Sequence, residues 1–515
     1  MLLVILIHSN MKSFNILTIQ IVLLYTCLLH GIDGKLNTSN NKNGISYLIT
    51  IDKENPRLAK VRISLTASDS ILYMNPGANQ LEKRWATFVH NLGVIDENGK
   101  SVQVEELKDA KWKIHTSLNR KLTVSYNVHL DHENYEWSGG IDGAAYATEL
   151  GVFYTGRSLF VLNGEKWKDI DVEFRVPNDW KVTTPWNLKG GSKYNYNASN
   201  ISDLANSLIF IGLHKEVYLK REEFELILAL GDHEMIVREN EFRSLANGVL
   251  DYYIDLMGGI PNISQENKFS RVLVVINSAD TTDGEAIGNN ISILFKRGGD
   301  KMEETVSRFI FAHEFYHLWN GKSFSPIDDK SEWFKEGFTN YYTIKALYNV
   351  GFLNETSFLD ILSDFFYEKY INDSGVGRLS MTNGEEKHNH WGLIYSGGLF
   401  VGISQDIIIR KATNNKKSID DLMKLLFQKY GGSNKNYSIG ELQEALAQLS
   451  GNNQSDFFET YINGTKQIPV DKYLKMVGLN AKIINKKLVV SKADNVTPEQ
   501  QDIINGLLGQ LKTKD

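Results

Sequence analysis

Residues 313–342 read HEFYHLWNGKSFSPIDDKSEWFKEGFTNYY. His313 and His317 stand four apart, one helical turn, so on a helix both imidazoles project from one face. Helical patterning runs from Lys301 to Trp319, with Asp300 as N-cap and Glu303 three residues on, the capping-box spacing. Two imidazole nitrogens so placed suit one zinc ion, which takes tetrahedral N, O and S donors. Glu314 holds the general-base position of an H-E-x-x-H segment. The third ligand must come from another element. Glu336 follows His317 by nineteen residues, across a stretch with a Gly, a Pro and an Asp-Asp pair. A second helix is expected from near Ser331, and the reversal returns Glu336 to the histidines. Two His and one Glu leave a fourth position for water. Chance produces H-E-x-x-H in roughly one to two per cent of chains this long. Buried core histidines are therefore the weaker explanation.

The surrounding 515 residues are 42% hydrophobic and 23% charged, as in folded globular proteins. A net charge of −6 without a basic stripe argues against a nucleic-acid partner. The N-terminus differs. Lys12 precedes FNILTIQIVLLYTCLL (Phe14–Leu29), a charged n-region ahead of an apolar run. Ile16–Leu29 is short for a membrane span. We expect a signal peptide within residues 1–34, with Met11 as a possible start, and a secreted, periplasmic or cell-surface protein. Cys27 is the only cysteine, so the mature chain has no internal disulfide. Membrane attachment is open only through the N-terminus, by lipidation of Cys27 or an uncleaved leader. Thr26 is bulky for the lipidation motif.

From 45 to 182 the texture is β. ISYLITI, AKVRISLTA, KLTVSYNVHL and DIDVEFRV alternate, with turn signals at Asn75–Gly77, Glu97–Lys100 and Ser138–Gly140. An antiparallel β-sandwich is expected. Residues 183–350 begin with strands (SLIFIG, FELILALG, RVLVVIN) and continue as helices, an α+β unit. Helices are expected at 241–257, 301–319, 333–348, 355–370, 396–412, 419–430 and 439–449, so residues 351–480 form a helical C-terminal part. Residues 481–515 read as a strand pair and a helix, a short extension.

The string HEFYHLWNGKSFSP…EWFKEGFTNYY resembles peptidase family M61, the glycyl aminopeptidases of the gluzincin group. That family shows H-E-x-x-H-x-W-N-x-K followed by W-x-x-E-G-x-T-x-Y-Y. LYMNPGANQLEKRWATFVHNL, FYTGRSLFVL, IIIRKATNNKKSIDDLM and FFETYINGTKQIPVDKYLKMVGL extend the likeness over about residues 45–480. The resemblance implies a thermolysin-like catalytic domain behind the sandwich. It implies one zinc ion on His313, His317 and Glu336, with Glu314 as base. Tyr395, in the YSGG segment, would donate to the oxyanion; the family often has Lys at the position of Gly397. Asn320 and Lys322 match the W-N-x-K signature and either line the cleft or cap the helix end. Asn340 is either a group supporting a ligand or an ordinary helix residue.

Two departures stand out. In the family a GGLEH-like strand carries the glutamate that holds the substrate's α-amino group. The local counterpart is DGEAIGNN, with Ile287 in place of that glutamate, Gly288 in place of the histidine and Glu285 two residues away. The amine anchor is therefore absent or rebuilt. Only 36 residues follow Leu479, where relatives carry a PDZ domain, so that module is expected to be missing or reduced. His388 and His390 are expected in a solvated loop. The implied function is an exported zinc metallopeptidase acting on peptides or proteins, an aminopeptidase preferring Gly or Ala. The alternatives are an endopeptidase and a non-catalytic secreted binding protein on a peptidase scaffold.

Overall fold

Alternating burial along Ile45–Asp52 and along Lys121–His129 places one face of each strand in a core and the other towards solvent. The computed structural model describes residues 44–137, 140–262 and 271–509. The leader with Cys27, Ser138 and Gly139 of one expected turn, and residues 510–515 of the expected extension lie outside them. An eight-stranded sheet runs in the order 187–188, 195–200, 168–175, 45–52, 55–66, 121–129, 89–96, 101–102. Against it packs a four-stranded sheet of 181–183, 208–212, 151–155 and 145–148, and the two share one core. This is the expected sandwich, with one departure from antiparallel pairing: Ile45–Asp52 runs parallel to Lys168–Arg175.

Strands Asn195–Asn200 and Leu208–Gly212 pair inside these two sheets. The first unit therefore extends to Gly212, past the expected boundary at 182. Strand texture is continuous across that point, and local sequence does not encode which sheet a strand joins.

The second unit is built on a five-stranded sheet in the order Lys215–Arg221, Phe224–Leu230, Arg271–Ala279, Asn290–Lys296, Asp283–Ile287. The middle pairings are parallel, and the last strand runs antiparallel at the end of the sheet. Leu226, Leu228, Val272 and Val274 face the helices, while Ile227, Ala229, Leu273 and Val275 face Tyr146, Phe153 and Phe210 of the sandwich. Burial on both faces explains the unbroken apolar runs.

The expected helices form, at 239–257, 301–316, 332–349, 355–372, 397–412, 419–430 and 439–450. The segment Gly392–Ala412 is apolar enough to cross a membrane, yet it is buried among the other helices. The C-terminal stretch is not a separate extension. Strands Leu479–Ile484 and Lys487–Lys492 and helix Pro498–Leu508 bury Ala481, Leu488, Ile504 and Leu507 in the helical core. The Tyr341 hydroxyl donates to the Leu507 carbonyl there.

Candidate metal centre

The helix Lys301–Tyr316 starts on the expected capping box: Asp300 accepts from the Met302 and Glu303 amides while Glu303 accepts from the Asp300 amide. The helix runs against the sheet and ends at His317, which receives the last turn. A tight return follows, with Gly321 at φ +133°, a conformation open to glycine. Asn320, fully buried, donates to the Lys335 carbonyl and the Thr339 hydroxyl. It thus ties this return to the next helix, Glu332–Asn349, and does not line the cleft. That helix crosses the segment after Tyr395 at close range. A Cβ on Gly337 would lie 2.2 Å from the Gly398 carbonyl carbon, so two glycines make the approach possible.

These elements bring three donor atoms together. His313 Nε2 and His317 Nε2 are 3.1 Å apart, and Glu336 Oε2 lies 3.4 Å from the first and 3.2 Å from the second. Zinc bonds of about 2.0–2.1 Å at tetrahedral angles set donors about 3.3 Å apart, so the triangle fits that ion. His313 and Glu336 are buried. His317 Nδ1 meets the Asn320 carbonyl at 2.9 Å, the kind of outer bond that fixes a ligating ring. His313 Nδ1 has no hydrogen-bond partner among the described residues. Burial opposes the Glu336 charge, but His317, His313 and Lys335 hold its carboxyl well below the ordinary range.

Glu314 follows His313 on the same helix. Burial pushes its pKa up to about 7, His313 pulls it down and Glu336 raises it again. A carboxyl so poised accepts a proton near neutrality. Tyr395 sits in a π-helical turn, Gly392–Ser396. Its ring stacks on Trp391 at 5.1 Å and lies 6.3 Å from the His313 ring. Burial, Glu336 and Glu314 hold its hydroxyl well above its usual pKa, so it stays protonated and able to donate. Asn340, also buried, donates to the Tyr395 carbonyl at 3.3 Å and supports the tyrosine rather than a ligand. Lys322 lies where burial and Lys335 depress its ammonium and Glu314 opposes them.

The strand DGEAIGNN behaves differently from expectation. Ile287 is buried between the sheet and the sandwich with Tyr146 and Phe153. Gly288 makes the hairpin turn at φ +59°, where a Cβ would meet the Asn206 carbonyl oxygen at 2.7 Å. Ile287 is thus turned into the core, and Gly288 serves the turn. Glu285 shares the face of Asp283 and pairs with Arg157 at 2.6 Å. A Cβ on Gly140 would lie 2.2 Å from both Asp142 Oδ1 and Asp283 Oδ2, and one on Gly143 would lie 2.0 Å from Glu285 Oε2. Three carboxylates thus gather where the sandwich meets this strand. Asp142 is fully buried with neither oxygen hydrogen-bonded among the described residues. Gly284 of the same strand packs on Ile310, one turn before His313.

Sequence reading assigned no role to Asp142, which no motif marks, nor to Arg157, which sits in the FYTGRSLFVL stretch of the family likeness. It also missed Lys387, whose ammonium reaches Glu336 at 3.1 Å. His390 pairs with Asp373 at 2.8 Å and is tied down, whereas His388 is exposed, as a solvated loop position is expected to be.

A two-helix His–His–Glu centre with an adjacent glutamate, set against a mixed sheet behind a β-sandwich, defines the fold class of the gluzincin peptidases. The Peptidase M61 N-terminal domain model matches residues 47–213 and the M61 glycyl aminopeptidase model residues 307–397, together about half of the chain. The chain belongs to peptidase family M61. Among solved structures it is similar to an aminopeptidase N family protein from Idiomarina loihiensis, at TM-score 0.71 and 18% identity over 85% of this chain and 79% of that one. It is also similar to an M1 zinc metallopeptidase from Deinococcus radiodurans, solved as a point variant, at TM-score 0.50 and 11% identity over 83% of this chain and 96% of that one. Both likenesses concern the fold. No curated protein matches the chain.

Proposed function

We propose that the chain is an exported zinc aminopeptidase that removes small N-terminal residues such as glycine or alanine from peptides. The observation that carries this reading is the donor triangle of His313, His317 and Glu336 with Glu314 and Tyr395 beside it. A zinc ion held there would polarise a scissile carbonyl and acidify a water molecule. Glu314 takes the proton of that water and hands it to the leaving amine. The protonated Tyr395 hydroxyl donates to the oxygen on which charge develops. The terminal strand Asp283–Ile287 offers its backbone to an extended peptide.

The preference for a free amine is supported by Asp142, Asp283 and Glu285. Burial, Asp283 and Glu285 hold the Asp142 carboxyl well above its ordinary range; this acidic cluster lies on the strand that packs on the histidine helix through Gly284, and an α-ammonium is a cation of matching chemistry. The preference for small residues is supported by the family's glycyl description. Export is supported by the leader sequence; any membrane attachment would run through Cys27 or an uncleaved leader. An endopeptidase remains a second reading, favoured by Ile287 standing in the core and by Arg157 already neutralising Glu285.

Hydrolysis of alanine and glycine anilides, compared with N-acetylated peptides of the same residues, separates the two. The aminopeptidase reading expects a preference for the free amine of about 100-fold or more. Equal cleavage of blocked and free substrates would establish the endopeptidase. No cleavage of either by the zinc-loaded protein would sink both.

A further inference from the structure

Glu336 is the single carboxylate among the three donors, and its two oxygens face different groups. Oε2 faces the imidazoles of His313 and His317 at 3.4 and 3.2 Å. Oε1 faces Lys387 Nζ at 3.1 Å, with Lys335 Nζ farther away at 3.5 Å. Lys387 does not arise from either ligand helix. It lies in the crossing segment between Gly384 and Trp391, just ahead of the π turn that carries Tyr395. Its ammonium is fixed from behind by Glu332 Oε2 at 2.6 Å. Glu332 is buried one turn before Glu336 on the same helix face, and its other oxygen takes Lys335 at 2.5 Å. Lys335 thus makes its short bond to Glu332, and Lys387 makes the shorter of the two lysine contacts with Oε1; the Tyr395 hydroxyl also hydrogen-bonds to the Glu336 carboxylate.

A carboxylate beside two imidazoles can present one oxygen or both to an ion. A charge-assisted bond to one oxygen decides between them, because breaking it inside a buried site is costly. We infer that Lys387 is a positioning residue of the metal centre: its ammonium occupies Glu336 Oε1 and commits Oε2 to the ion. The inference rests on the metal reading of the site. It also links the ligand set to the segment that carries Tyr395, so one side chain holds the carboxylate and the loop in register.

The test reads metal affinity and not turnover. The full chain carrying Lys387→Cys is prepared metal-free, and its affinity for Zn²⁺ is measured by chelator competition beside the wild type. The variant's thiol is then alkylated with 2-bromoethylamine, which rebuilds a lysine-like ammonium; mass spectrometry confirms the adduct. Cys27 is the only other cysteine, so identically treated wild type is the control. Loss of an outer partner weakens metal binding by about 10- to 100-fold, and that loss is expected in Lys387→Cys, with recovery after aminoethylation. Recovery also shows that the variant is folded. Unchanged affinity in the variant, or a loss that persists in the confirmed adduct, would overturn the role of Lys387. A wild type that takes up no ion would overturn the metal reading and this inference together.

Discussion

Glu314 and Tyr395 make opposite demands on their protons, and their surroundings meet both. Glu314 must lose its proton to act as base. Burial and Glu336 set its pKa at about 7 against an ordinary 4.5, and a bound cation would draw it down. The acid limb of kcat/KM is therefore expected between those values, with activity falling as the pH drops through it; a limb above 7 would contradict the assignment. Glu314→Gln keeps the size of the side chain and removes the base. It should bind zinc at wild-type stoichiometry while kcat falls at least about 100-fold. Tyr395→Phe removes one donor to the oxyanion and should lower kcat by about 100- to 1,000-fold with metal content intact. An unchanged kcat in steady-state assays would make Tyr395 an ordinary packed aromatic. At this scale His313, Glu314, His317 and Glu336 were legible, because spacing on helices fixes which side chains converge. The burial of Ile287 was not legible, because aligning a strand to a motif gives no information on which face meets the core. Lys387 was not legible at all: its partner lies 51 positions away.

Helix by helix, the sequence spoke clearly where cap and periodicity agree, as at Asp300/Glu303; the capping boxes at Ser418/Asp421 and Ser438/Glu441 emerge only in the structure. It was silent on the π turns at 361–367, 392–396 and 458–462, since one inserted residue leaves the apolar pattern readable. The second of these turns aims Tyr395, in keeping with the frequent placement of such turns at functional sites. The crossing of Glu332–Asn349 over Gly397–Ala412 depends on absent side chains. A Cβ on Gly398 would stand 1.9 Å from the Trp333 carbonyl oxygen, and one on Gly337 2.3 Å from the Gly398 Cα. Backbone has to move to admit either. Gly337→Ala should therefore cost about 1–3 kcal/mol or more in denaturant unfolding. Because Glu336 is the adjacent residue, zinc affinity should fall as well. A variant with wild-type stability and affinity would show that the helices do not meet at this distance.

Across the whole molecule, strand texture announced the sandwich but not its extent, because residues 187–212 join sheets whose other strands lie far away in sequence. The sandwich also carries an acid-sensitive feature that composition hides. His132 is fully buried, stacks on Phe88 at 3.5 Å, and has no hydrogen-bond partner for either ring nitrogen among the described residues. Burial lowers its pKa to about 3. The unfolded chain takes that proton near pH 6.5, the folded chain only near 3. Between those values the unfolded state holds the extra proton, so stability falls as the pH drops, by about 1.4 kcal/mol per pH unit. His214, also buried and lowered to about 3, adds a similar slope. His132→Phe should remove one such contribution and flatten the acid side of the stability profile, followed by the fluorescence of nearby Trp85 and Trp137 in urea titrations. An unaltered profile would mean that His132 is not held neutral.

The three-donor centre is the foundation of the functional reading, and zinc titration of metal-free protein tests it most directly. Zn²⁺ is added in increments while release of anilide from an alanine substrate is followed. The expected result is activity that rises from baseline and breaks sharply at one ion per chain, with no rise in Glu336→Gln over the same range. Hydrolysis that is independent of added metal, or that survives the loss of Glu336 undiminished, would contradict the account.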